Sequence, residues 1–251
     1  MSFHNWIYSI TPEGSDINGA WKLPHILTLV GCIITVIALA FLFRKKDKKM
    51  RTVVIRVLIG LILFFEIARR VINFIKGGHN TLNDVLYTLL PRPWCALSCW
   101  ALILSMFVNK KFFYNFASAS AFVCALIFFA YPEAGFTNKY ITFEHLYSIG
   151  THSLLLITSL TLITLKFTDF NYKTAWKEGI CLAVIYIYAF IEIYLLDIAS
   201  DPLYFMPNGD VAKVLGGMSY GLYLPLYILF IGVYFSSFYL ITYFSQKKRN
   251  K

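Results

Sequence analysis

Seven hydrophobic runs, each long enough to cross a bilayer, follow one another along this chain and leave little of it for a soluble core. At about 1.5 Å of rise per residue, a helix needs roughly 20 apolar residues to span a hydrocarbon layer ~30 Å thick. The runs fall at 24–43, 52–75, 86–108, 113–131, 141–166, 175–198 and 219–244. A soluble chain would divide its apolar residues into amphipathic stripes. Here 58% of residues are hydrophobic and 14% charged, and the apolar ones come in blocks. The sequence therefore predicts an all-α, polytopic transmembrane bundle of seven helices forming a single domain over 1–251. An N-terminal segment 1–23 and a loop 199–218 are expected on the outside, and 245–251 as a basic cytoplasmic tail.

Lysine and arginine set the expected orientation. The first connection holds Arg44, Lys45, Lys46, Lys48, Lys49 and Arg51, the third Lys110 and Lys111, the fifth Lys166, Lys173 and Lys177. The tail adds Lys247, Lys248, Arg249 and Lys251, while the alternate connections carry only Lys22, Lys76, Lys139 and Lys213. Basic odd-numbered connections predict an outside N-terminus and a cytoplasmic C-terminus in the cell membrane. The net charge of +10 then follows from topology and from attraction to anionic lipids, and calls for no nucleic-acid partner. Cys32, Cys95, Cys99, Cys124 and Cys181 all fall inside spans. A disulfide framework is not expected, and no CxxC or Cys/His spacing predicts a metal site.

With this orientation, depth follows from counting. Cys95 lies roughly 13 Å below the outer end of the third span, Glu66 roughly 13 Å below that of the second, and His152 roughly 16 Å down the fifth. His145 stands two helical turns above His152 on the same face. Arg69 and Arg70 lie above Glu66, and His25 opens the first span. Glu192 and Asp197 end the sixth, and Arg92 starts the third. Ionisable groups from five spans thus gather in one half of the membrane, where a polar cavity opening outward would lower their cost. Arg56 and Glu178 in the other half are expected to snorkel to the surface.

Each residue also has a plainer structural reading. Glu66 with Arg69 or Arg70 has the spacing of an intrahelical ion pair. His25 after Pro24 can cap a helix, His145 can be solvated at the interface, and Cys95 can be a packing residue. Together, a cysteine and a histidine at matching depth are the minimum for acyl transfer through a thioester. A carboxylate such as Glu66 can orient the histidine or balance Arg69. No phosphate-binding glycine loop, GxSxG elbow or HExxH helix is present, so ATP-driven chemistry and soluble cofactors find no support.

The same residues carry a family resemblance. The chain resembles the YwaF-type bacterial integral membrane proteins, whose animal relative is transmembrane protein 164. That pattern has a histidine opening the first span (His25), Glu then Arg late in the second (Glu66, Arg69), and Leu-Pro-x-His-x-Cys opening the third. Here the last reads Leu90-Pro91-Arg92-Pro93-Trp94-Cys95, so Pro93 stands where the family histidine would be. An aromatic-rich start and a histidine (Phe143 to His152) mark the fifth span. The loop before the last span has a segment echoed by Asp201-Pro202-Leu203-Tyr204-Phe205, with Asp201 replacing the family asparagine; Gly217, Pro225 and Tyr227 follow. The resemblance implies a cysteine-dependent acyltransferase or lipid-remodelling protein acting on phospholipid acyl chains, with Cys95 holding the acyl group and His152 as base. His25, Glu66, Arg69, Arg70, His145, Glu192, Asp201 and Tyr204 are the expected substrate-binding residues. The alternative is a non-enzymatic solute- or lipid-binding protein, a transporter or transporter subunit using the same cavity. Against it, no internal repeat and no Gly/Pro-broken pair of spans is read from the sequence.

Overall fold

A computed structural model describes residues 2–17, 19–77, 81–131, 135–198, 203–204 and 218–249. Among them the protein is all-helical: α1 (Phe3–Tyr8), α2 (Leu23–Phe43), α3 (Lys48–Lys76), α4 (Leu82–Leu89), α5 (Trp94–Val108), α6 (Lys111–Ala130), α7 (Phe143–Thr164), α8 (Ala175–Phe190) and α9 (Tyr220–Arg249). A π turn, Ile191–Leu195, prolongs α8. Local signals explain the boundaries. Pro24 sits in the first turn of α2, where its missing N–H costs nothing. The Asp47 carboxylate accepts the Met50 N–H at 3.2 Å to start α3. Thr81 and Asp84 form a reciprocal capping box at α4. Asn109 ends α5 in the left-handed conformation at φ 46°.

Among the described residues five elements are long and apolar enough to cross a membrane: α2, α6, α7, the Tyr172–Leu195 stretch containing α8, and α9. The pair α4–α5 makes a sixth if counted as one span, and it is bent by 63°. The continuous helix expected over 86–108 is thus broken. Pro91 and Pro93 cannot donate within a helix, and each drives the residue before it out of the helical region. One broken span is not the pair of Gly/Pro-broken spans whose absence the sequence predicts, so that expectation is not overturned. The 29-residue α3 is long enough to cross but carries Glu66, Arg69 and Arg70 in its second half.

The core lies where α5, α6 and α7 meet. Ala117, Ser118, Ala119, Ser120 and Ala121 on α6 are all fully buried, and these small side chains let the neighbouring backbones approach. Ser118 donates to the Ser159 carbonyl at 3.1 Å, and Trp94 Nε1 donates to Ser120 Oγ at 2.8 Å, so these polar atoms of the seam are paired, whereas Thr158 Oγ1 and Thr161 Oγ1 of α7 are not.

The N-terminal segment packs against the connection between α6 and α7. Ile17 N donates to Thr137 O at 2.8 Å and Lys139 N to Ser15 O at 3.0 Å, while Trp6 Nε1 reaches Ile141 O at 3.0 Å. Gly19 is needed here, because a Cβ would stand 2.1 Å from the Phe136 carbonyl oxygen.

Candidate functional site

The site grows from one turn of α3. Glu66 is fully buried and ion-paired with the Arg70 Nη1, four residues on. Its other oxygen accepts from the Tyr147 hydroxyl of α7 at 2.6 Å. The same hydroxyl accepts from Arg69 Nη1 at 3.2 Å, and the Arg69 guanidinium lies over the Tyr147 ring, 5.0 Å from its centroid. Tyr147 therefore stands between a carboxylate and a second guanidinium and keeps them from closing on each other.

The broken span supplies the next layer. The end of a helix leaves carbonyls without intrahelical partners. Arginines answer them: Arg70 Nε donates to Leu89 O at 2.8 Å, Arg69 Nη2 to Arg92 O at 3.1 Å, and Arg92 Nη2 to Tyr87 O at 2.7 Å. Arg92 also reaches Ile198 O at 2.8 Å and stacks on Tyr87 at 3.3 Å. The restart at Trp94 makes Cys95 the second residue of α5, behind Pro93, which offers no side-chain cap. Cys95 is partly buried, with Arg69 and Glu66 in its neighbourhood, while the Ala96 N–H donates to the Pro93 carbonyl at 2.9 Å.

The histidines are dispersed. His152 Nδ1 lies 2.7 Å from the Ser148 carbonyl, which can only accept, so Nδ1 carries the proton and Nε2 of the neutral ring holds the lone pair. The ring stacks on Phe128 with centroids 4.0 Å apart. No hydrogen bond joins His152 to Cys95 among the described residues. His145 contacts Thr142 Oγ1 at 2.7 Å and Thr137 Oγ1 at 3.4 Å, within the connection that leads into α7. His25 is fully buried among Trp21, Phe129 and Phe136, and its Nδ1 accepts the Trp21 N–H at 3.2 Å just before α2. Glu192, in the π turn, is also fully buried; one oxygen accepts from Tyr188 at 2.8 Å, and Arg92 acts on it without an ion pair. Tyr204 accepts from the Tyr223 hydroxyl through its carbonyl. Asp201 lies outside the described residues. The structure thus gathers Glu66, Arg69, Arg70 and Cys95, with Arg92 and Glu192 adjoining, and sets His25, His145, His152 and Tyr204 in separate surroundings. Among the described residues no three His, Cys, Asp or Glu side chains could hold a metal ion together.

The TMEM164 family model matches residues 20–243, from just before α2 into the last turns of α9. The chain belongs to the TMEM164 family. It is accordingly a multi-pass membrane protein, in contact with the lipid bilayer. No curated protein and no solved structure gives a significant match.

For this TMEM164-family chain the sequence left out three contributors: Tyr147, Tyr188 and the carbonyls at the α4 break. With 17 tyrosines in the chain, residue type could not single out two of them. The carbonyls had a signal, the Pro91–Pro93 pair, which marks where backbone acceptors must be freed. Glu178 requires a correction. It does not reach the surface but is buried, 2% exposed, facing Tyr239, Asn115 and Asp169. Arg56, by contrast, is exposed.

Proposed function

We propose that the protein is a membrane-embedded acyltransferase, or lipid-remodelling enzyme, that uses Cys95 on phospholipid acyl chains. The observation carrying this reading is the position of Cys95 in the first turn of α5, in the neighbourhood of Arg69 and Glu66. In the proposed reaction Cys95 Sγ attacks the ester carbonyl carbon of a donor lipid. The C–S bond forms, the C–O bond breaks, and the thiol proton passes to the departing glycerol oxygen; for His152 Nε2 to relay it, as this reading assigns, the ring would have to leave its stack on Phe128 and approach Sγ. The hydroxyl of an acceptor lysolipid then attacks the thioester, gives its proton to the same nitrogen, and releases the sulfur. Membrane phospholipids are both donor and acceptor, so no soluble cofactor enters. Seven crossings, an outside N-terminus, a cytoplasmic C-terminus and residence in the cell membrane complete the reading. The seventh crossing is α3, whose buried charges meet partners inside the protein rather than lipid.

Mass spectrometry after incubation with phospholipid tests this directly. A hydroxylamine-sensitive acyl adduct on Cys95, lost in Cys95→Ser and diminished in His152→Ala, is the expected result. An unmodified Cys95 in folded protein, offered several donors, would sink it.

A second reading is favoured by one observation. A proline-broken span and a π turn meet at the charged cluster, and interrupted helices at buried charges mark binding sites in transporters. The protein would then bind a solute or lipid without chemistry, as a transporter or a subunit of one. Cys95→Ser would leave that function intact.

A further inference from the structure

Among the described residues, charge at the cluster does not balance. Three guanidiniums, Arg69, Arg70 and Arg92, face two carboxylates, Glu66 and Glu192, and among the described residues only Arg70 is ion-paired. Arg70 and Arg92 both act on the Tyr188 hydroxyl that binds Glu192, so the groups form one neighbourhood. Each guanidinium keeps a buried N–H without a hydrogen-bond partner: Arg69 Nε, Arg70 Nη2 and Arg92 Nε. Arg70 is the most enclosed, at 8% exposure. An unpaired donor in such a setting bears an uncompensated desolvation cost, larger on a charged group, and excess buried charge adds to it. The same neighbourhood contains the start of α5, whose first amides have no side-chain cap.

The plainer role of these arginines, tying down the carbonyls at the α4 break, uses Arg70 Nε, Arg69 Nη2 and both Arg92 Nη atoms. It leaves the three unpaired N–H groups and the surplus positive charge unanswered. A phosphate group answers both. It supplies several acceptor oxygens and a negative charge, and it matches the planar donor geometry of guanidinium. We infer that Arg69, Arg70 and Arg92 form a phosphate-binding site beside Cys95, on which a lipid headgroup or free phosphate docks. The inference rests on the lipid reading of the site only for the source of the phosphate.

The test is equilibrium binding of radiolabelled phosphatidate to the purified full chain in detergent, with diacylglycerol of the same acyl chains as the phosphate-free control. Phosphatidate is expected to bind at least tenfold more tightly. Arg92→Gln and Arg69→Gln are each expected to reduce that preference to threefold or less. The Lys45→Gln/Lys46→Gln/Lys48→Gln/Lys49→Gln protein changes a connection remote from the cluster and keeps the preference, which supports the site even if the arginine variants fold poorly. Loss of the preference in that lysine variant, or equal binding of the two lipids by the unaltered protein, overturns it. Millimolar inorganic phosphate that displaces phosphatidate assigns the site to free phosphate; failure to displace assigns it to the headgroup. Measuring Cys95→Ser in parallel separates this site from the chemistry. A phosphate preference without any acyl adduct keeps the site and ends the acyltransferase reading, whereas an adduct without the preference does the reverse.

Discussion

The charged cluster around Glu66 and the side-chain amide of Asn115 are both buried, yet the fold satisfies them to different degrees. Asn115 is fully enclosed and closes on itself. Its Nδ2 donates to Asp169 Oδ1 at 3.1 Å, and its Oδ1 accepts from Asp169 N at 3.0 Å and Phe170 N at 3.3 Å. One α6 side chain thereby pins the turn that follows α7, and these contacts stay within the protein. The Glu66 cluster also ties elements together, but it finishes with spare guanidinium N–H groups and one positive charge in excess. A buried polar group that only holds the fold can be satisfied by the fold. The guanidinium N–H groups left over at Glu66 are not satisfied by the fold; beside Asn115 the same holds for the Glu178 carboxylate oxygens, so the contrast is between the Asn115 amide and the three arginines.

The largest expected effect breaks the charged cluster at its centre. Glu66→Ala strands Arg70 as an unpaired buried cation, and removing one partner of such a pair costs about 3–5 kcal/mol. Thermal unfolding in detergent should show a pronounced loss, largely restored in Glu66→Ala/Arg70→Met, where both charges are gone. A single substitution costing no more than an exposed one would show that the pair does not organise this turn. Asn115→Ala comes next. It removes three hydrogen bonds, each contributing roughly 1 kcal/mol net, so a loss of about 1–3 kcal/mol is expected with Cys95 labelling by maleimide unchanged. Altered labelling would mean that the two ends are coupled, against the contrast drawn above.

How much of this could be read from residues alone differs between the helices and the site. The boundaries of α2, Leu23–Phe43, lie within one residue of the hydrophobic run at 24–43, because apolar length is a direct consequence of the bilayer. The same rule failed over 86–108. Hydropathy is blind to the Pro91–Pro93 break, which depends on backbone donors rather than side-chain polarity. In the site, Glu66 and Arg70 were legible because i,i+4 spacing is local. Tyr147 was not, since its meeting with Glu66 depends on how α7 is rotated against α3, and no spacing within either helix encodes that rotation. Depth was a poor guide for the same reason: His152 and Cys95 were placed at similar depth, but His152 stacks on Phe128 and makes no hydrogen bond to the thiol.

A smaller effect sharpens the comparison inside the charged cluster. Tyr147→Phe keeps the ring under Arg69 and removes the hydroxyl that separates Arg69 from Glu66. The two lost hydrogen bonds to charged groups should cost about 2–3 kcal/mol, offset where Arg69 moves onto Glu66 directly. That movement draws the cation away from Cys95, so maleimide labelling should slow by about two- to tenfold. Labelling at the unaltered rate would show that Arg69 is held in place by the Arg92 carbonyl alone.

The smallest effect is expected at the edge of the Asn115 cluster. Lys111 Nζ stands 3.6 Å from Asp169 Oδ2, an ion pair by distance, but the lysine side chain is 64% exposed. Water screens such a pair, and holding a long flexible side chain in one place offsets the attraction, so Lys111→Ala should cost about 0–1 kcal/mol. The value matters because Asp169 already accepts from Asn115 on its other oxygen. If the enclosed amide holds that carboxylate, removing the lysine changes the unfolding temperature very little. A loss as large as that of Asn115→Ala would mean that the carboxylate is positioned by charge, and that this end of the bundle also depends on an excess cation.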